Sequence, residues 1–139
     1  MNVTVNWLQK DFHMEADNEE GGKIRMDGNT EIGGLEGGMS PMQLLLAGIG
    51  GCSAIDVISI LEKQKQELDN LIVDVDAEKV KMKEGYSEFK KIHLHFKFSG
   101  NLDVKKVERA LKLSITKYCS VSKALEKGSE ISYDYSIID

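Results

Sequence analysis

The stretch Ser40-Pro41-Met42-Gln43-Leu44-Leu45-Leu46-Ala47-Gly48-Ile49-Gly50-Gly51-Cys52-Ser53-Ala54-Ile55-Asp56-Val57 decides how this chain is read. Serine is a good N-cap, and proline fits the first helical position because that amide has no intrahelical partner, so a helix is expected to open at Ser40-Pro41. Leu44, Leu45, Leu46, Ala47 and Ile49 leave that helix no polar face. It must therefore be covered on all sides, and in a small chain another subunit could supply part of the cover. Gly48, Gly50 and Gly51 each cost about 1 kcal/mol relative to alanine inside a helix, so they either break it or allow a very close backbone contact. If the helix restarts at Cys52, the free amides of its first turn favour a thiolate there. Ile55, Ile58, Leu61 and Lys65 continue a helical stripe that turns charged at Glu62, with an exit to solvent expected near Leu68.

Working outward, Val3, Val5 and Trp7 alternate with polar residues, and Phe12, Met14 and Ala16 do the same beyond a polar turn at 9–11. This pattern predicts a hairpin with one buried face. A third short strand, 24–26, follows Gly21-Gly22. Residues 28–39 hold Gly33-Gly34 and Gly37-Gly38 with few apolar anchors and read as a long, adaptable loop. Beyond the helix, Leu71, Val73, Val75 and Ala77 alternate with acids, and the apolar parity then switches to Val80 and Met82, as a bulge requires. Gly85 marks a turn into an antiparallel partner strand, in which Ile92, Leu94, Phe96 and Phe98 face one way against Lys91, His93, His95 and Lys97. Asp103 can cap a helix carrying Val104, Val107, Leu111 and Ile115. A short helix over 121–126 stops at Lys127-Gly128, and Ile131, Tyr133, Tyr135 and Ile137 close the chain as a strand.

The 139 residues suit one domain, 1–139. A net charge of -5 with interleaved lysines and acids gives no footprint for nucleic acid or an anionic membrane, and neither partner is expected. The apolar run from Leu44 to Ile49 is far shorter than the roughly 20 residues a bilayer span needs, and no targeting segment is read, so a cytoplasmic protein is expected. No nucleotide-binding glycine pattern occurs: Gly33-Gly34-Leu35-Glu36-Gly37-Gly38 has the wrong spacing. His93 and His95 share a strand face and, with the cysteines, invite zinc, but there is no Cys-x-x-Cys and the neighbouring lysines read as a solvated sheet surface. Neither a metal nor another cofactor is expected.

The chemistry rests on two cysteines in distinctive frames, Gly50-Gly51-Cys52-Ser53-Ala54 and Tyr118-Cys119-Ser120-Val121-Ser122. A structural bridge and two inert buried thiols are the plain alternatives to a reactive pair; in a reducing compartment structural bridges are rare. A free thiol, with a pKa of about 8.5, is only slightly ionised at neutral pH, so its surroundings must stabilise the thiolate. Two arginines stand against sixteen lysines. Arg25, beside the glycine-rich loop, is the candidate to reach Cys52, whereas Arg109 falls on the solvent face of its helix.

Four blocks carry a family resemblance: Met26-Asp27-Gly28-Asn29, Ser40-Pro41-Met42, Gly50-Gly51-Cys52-Ser53-Ala54-Ile55-Asp56-Val57 and Lys117-Tyr118-Cys119-Ser120-Val121. Over essentially its whole length the chain resembles the OsmC/Ohr family of thiol peroxidases. The resemblance implies an α+β fold in which antiparallel sheets wrap around two central helices in an intertwined homodimer, with both active sites at the interface. It also implies that Cys52 is the peroxidatic cysteine and Cys119 the resolving one. In the well-studied branches an arginine and a glutamate assist. Here Met42 occupies the glutamate position with Gln43 following, and Leu35-Glu36-Gly37-Gly38 resembles the family's Phe-Glu-Gly-Gly loop with Gly34 where arginine is looked for. Glu31 and Glu36 are the nearest carboxylates in sequence to serve a guanidinium such as that of Arg25. The implied function is a thiol-dependent peroxidase that reduces organic hydroperoxides, with hydrogen peroxide a further candidate, and is reset by a dithiol reductant. The alternative is a non-catalytic relative that binds a small ligand or senses redox state.

Overall fold

The computed structural model describes residues 1–28, 34 and 37–138. The chain divides into two compact units, Met1–Leu45 and Leu46–Asp139.

In the first unit, β1 (Val3–Trp7), β2 (Met14–Asn18) and β3 (Lys23–Met26) form an antiparallel sheet in that order. Trp7 pairs with Met14, and Met14 with Met26. The hairpin is present, but Phe12 belongs to its turn, where Gln9 and Asp11 take positive φ. The expected buried face is reduced to Ala16: Val3, Val5 and Trp7 remain 60%, 56% and 57% exposed. Asp27 is buried and ties the ends of the glycine-rich segment, accepting from the amides of Gly28 (2.7 Å) and Gly37 (3.0 Å) while its own amide donates to Met39 O. Most of the 28–39 loop, including Glu31, Gly33, Leu35 and Glu36, lies outside the described residues.

Helix α1 (Pro41–Lys63) opens where the serine and proline place it. Ser40 Oγ accepts from the Gln43 amide at 3.2 Å and Gln43 Oε1 accepts from the Ser40 amide at 2.9 Å, a reciprocal capping box. The helix then runs unbroken through Gly48, Gly50 and Gly51. Of the two roles open to the glycines, close contact is the one taken at Gly50, where an added Cβ would stand 3.1 Å from Val75 Cγ2. α1 also ends earlier than expected. Lys65 adopts φ 57°, its amide donates to Glu62 O and the Gln66 amide to Leu61 O, so a Schellman motif stops the helix and Leu68 already belongs to the next strand. By length and composition α1 could cross a membrane, which the short run from Leu44 to Ile49 did not reveal; Ile49, Val57 and Leu61 on it are nevertheless fully buried.

In the second unit, β4 (Glu67–Lys81) and β5 (Ser87–Asn101) form an antiparallel hairpin around Gly85, whose φ of 107° excludes an ordinary side chain without strain. The register shifts between Glu78 and Lys79, where the parity change in the sequence requires a bulge. Strand β6 (Glu130–Ile138) adds to β5 in parallel, so this sheet is mixed where the resemblance implied antiparallel pairing. The reason is the connection: α2 (Val104–Leu113), a π-helical turn (Ser114–Tyr118) and α3 (Ser120–Leu125) intervene, a crossover long enough to return the chain in the same direction. Asp103 caps α2 by accepting from the amides of Lys105 and Lys106. Ile92, Leu94, Phe96 and Phe98 of β5 are fully buried, as are Val107, Ala110 and Leu111 of α2. Each such large side chain contributes about 1.5–3 kcal/mol by leaving water.

Candidate active site: two thiols and a carboxylate

Cys52 lies in the middle of α1, half-buried, and Asp56 follows one helical turn later on the same side. Cys119 is fully buried at the junction between the π-turn and α3. The two sulfurs and a carboxylate oxygen of Asp56 all lie within 4.8 Å of one another.

The wide π-turn sets Cys119 in place. The Cys119 amide donates to Ser114 O at 2.8 Å, five residues back, and the chain then turns extended to make Cys119 the N-cap of α3. Its Sγ accepts from the Ser122 amide at 3.4 Å. Ser114, at the start of the same turn, places its hydroxyl 3.2 Å from Ser53 O and 3.3 Å from Asp56 Oδ2, joining α1 to the turn next to both cysteines. Ser53 itself is buried and donates back to Ile49 O at 2.7 Å. The buried serines are thus all satisfied, which a low-dielectric interior demands.

Burial pushes the Cys119 thiol up to about 11 from the ordinary 9.0; the Ser122 amide opposes this, and Cys52 and Asp56 add to it. Cys119 is therefore a neutral thiol at physiological pH. Because α1 is continuous, Cys52 is not in a first helical turn, and free helix-terminal amides do not stabilise a thiolate there as the broken-helix expectation required. Gln43, next to Met42, is spent on capping.

Arg25 lies on β3 in the first unit, exposed, with Nε donating to Glu15 Oε2 at 3.0 Å. That bond, with Lys23 close by, holds the Glu15 carboxyl below its usual range. Arg109 is exposed, as its helix position predicts, and lines an open cleft of about 640 Å³ together with Asp56, Lys63, Leu113 and Tyr118. On the polar face of the second sheet, Asp134 Oδ1 accepts from His93 Nε2 (2.9 Å) and His95 Nδ1 (2.6 Å), while Lys97 pairs with Asp74 at 2.6 Å. The two histidines are engaged with a neighbouring strand, away from the cysteines in chain and in contact.

Asp56 and Ser114 are the site residues that sequence reasoning passed over. The first had a readable signal, since i, i+4 spacing on a helix brings Asp56 over Cys52. The second had none, because a π-turn alters which residues share a face.

Residues 33–134 match the model of the OsmC-like protein family. Protein YhfA of Escherichia coli (strain K12) is 37% identical over 139 residues, covering 99% of this chain and 98% of that protein. Among solved structures, a protein from Aquifex aeolicus VF5 superposes with a TM-score of 0.80 at 26% identity, over 99% of this chain and 97% of the other. The organic hydroperoxide resistance protein OhrB of Bacillus subtilis gives a TM-score of 0.69 at 16% identity, over 97% and 96% of the two chains, which speaks for a shared fold. The chain belongs to the OsmC family.

Proposed function

We propose that this protein is a homodimeric, thiol-dependent peroxidase that reduces organic hydroperoxides. The observation that carries this reading is the approach of the Cys52 and Cys119 sulfurs in an OsmC-family chain whose structural neighbours include proteins named for organic hydroperoxide resistance. Cys52, the more accessible thiol, attacks the outer peroxide oxygen as thiolate, releases the alcohol and becomes a sulfenic acid. The neutral Cys119 thiol then condenses with it, losing its proton as water departs and leaving the Cys52–Cys119 disulfide. A dithiol reductant restores both thiols by exchange. Arg25 is the candidate cation for the Cys52 thiolate, and the apolar side chains of α1 around Cys52 favour an organic substrate. The homodimer covers Leu45, Ile55 and Ile58 of α1, which are 45%, 69% and 44% exposed in the single chain.

A second reading is favoured by Asp56. Its carboxylate adds to the upward push on the Cys119 thiol, and Met42 stands where the resemblance placed a glutamate, so a non-catalytic, ligand-binding or redox-sensing role is the alternative. Peroxide consumption in the presence of a dithiol, measured on wild type and on Cys52→Ser, separates the two. Turnover abolished by Cys52→Ser supports the peroxidase; turnover no faster in wild type than in the variant supports the alternative.

A further inference from the structure

Three potential anions converge in one half-buried place, and that arrangement calls for a cation. Two thiols and a carboxylate within 4.8 Å repel one another once ionised, and burial strengthens the repulsion. Tetrahedral zinc with two thiolates and a carboxylate oxygen holds its ligand atoms about 3.5–3.8 Å apart, given Zn–S and Zn–O bonds of about 2.3 and 2.0–2.2 Å. The three groups therefore need only about an ångström of adjustment to meet one ion. Their supports also suit metal ligation. The Ser122 amide points at Cys119 Sγ, and the Ser114 hydroxyl approaches Asp56 Oδ2, leaving the other carboxylate oxygen to coordinate. Such outer hydrogen bonds are what orient ligands around zinc.

We propose that Cys52, Asp56 and Cys119 of the reduced protein bind one Zn²⁺ ion, with the fourth tetrahedral position left for water or a small anion. Two thiolates, one carboxylate and Zn²⁺ leave a net charge of -1, and Lys63 and Arg109 line the same cleft as Asp56 to offset it. Asp56 is the residue that this cleft and the site share. Binding displaces both thiol protons to solvent, so two protons are released per ion and affinity rises with pH. The bound form cannot carry a Cys52–Cys119 disulfide, since both sulfurs are committed to the metal; zinc and oxidation thus compete for one dithiol.

Cobalt(II) tests the assignment on the full, reduced, metal-free chain without any peroxide, so its outcome is independent of the peroxidase reading. One equivalent is expected to give tetrahedral visible bands and a thiolate-to-cobalt charge-transfer band, both displaced by Zn²⁺. Cys52→Ser and Cys119→Ser should each cut the charge-transfer intensity by about half, in keeping with a two-thiolate site. Ser114→Ala should weaken zinc, measured against a chromophoric chelator, by about tenfold or more, and Asp56→Asn, nearly isosteric and well suited to keep the fold, by more than that. Absence of the charge-transfer band in wild type overturns the site. So does a band whose intensity is undiminished by either cysteine substitution, or a zinc affinity unmoved by Asp56→Asn.

Discussion

Gly50 of α1 and Val75 of β4 meet so closely that a Cβ on the glycine would lie 3.1 Å from Val75 Cγ2. This contact explains why a helix-weakening residue is tolerated two positions before Cys52. Alanine here gains about 1 kcal/mol of helix propensity but must push Val75 aside by a few tenths of an ångström, so Gly50→Ala is expected to be near neutral. Gly50→Leu should destabilise by about 1–3 kcal/mol in urea unfolding, as overpacking does. It should also slow formation of the Cys52–Cys119 bond, because the same helical turn carries Cys52. A Gly50→Leu protein as stable as wild type would show that this contact does not limit packing.

Stoichiometric peroxide should convert the two thiols into an intramolecular disulfide. Free thiol should vanish and intact mass fall by about two hydrogens, the oxidant leaving as alcohol and water. Cys119→Ser should instead stop at a sulfenic acid that a dimedone-type reagent traps at Cys52. An unchanged thiol titre with several peroxides would remove the catalytic reading.

Much of this geometry was legible in residues whose local chemistry and tertiary role agree. Ser40-Pro41 opened α1, the parity change at Val80 marked the β4 bulge, and Asp103 capped α2. What escaped notice depends on neighbours distant in sequence or on uncommon local choices. The glycines of α1 left breakage and close contact equally open until Val75 was known to press on Gly50. Lysine rather than glycine fills the left-handed position of the Schellman motif at residue 65, so nothing in the sequence marked the stop. The π-turn at Ser114–Tyr118, which brings Cys119 and Ser114 to α1, follows a regular helical pattern without interruption. Alternation in β1 correctly indicated a strand, but alternation does not say which molecule covers its apolar side.

Alkaline pH should destabilise the reduced, metal-free protein through Cys119. Its folded-state value of about 11 lies above the ordinary 9.0 because burial penalises the thiolate. The unfolded chain therefore releases this proton first as pH rises. The contribution is whole below about pH 9 and drains away toward pH 11 at up to about 1.4 kcal/mol per pH unit. Urea unfolding of wild type and Cys119→Ser across this window should show a shallower slope for the variant. Parallel slopes would mean that Cys119 ionises equally easily in both states.

Ile55 and Ile58 occupy one exposed face of α1 at helical spacing, and an apolar pair so placed suits the dimer proposed above. Ile55→Glu should shift sedimentation from dimer toward monomer while leaving the circular dichroism of the chain unchanged, since Ile55 is 69% exposed within it. A folded wild-type monomer at micromolar concentration would remove the dimer from the proposal.

Arg25 provides the strictest test of how Cys52 is activated. Its guanidinium is exposed and holds Glu15 through Nε at 3.0 Å, which leaves its other N–H groups to serve a second anion. If that anion is the Cys52 thiolate, Arg25→Ala should slow alkylation by a thiolate-selective reagent near neutral pH by about tenfold, the effect of one opposite charge close by. Arg25→Lys should restore only part of the rate, because an ammonium keeps the charge but cannot hold two partners with a planar fork. Glu15→Gln should act in the opposite direction, as it removes the carboxylate that competes for the guanidinium. Rates measured against pH in a Cys119→Ser background confine the readout to Cys52. Superimposable profiles for wild type and Arg25→Ala would exclude Arg25 from the site and leave Lys63 and Arg109, on the cleft that Asp56 lines, as the cations to test next.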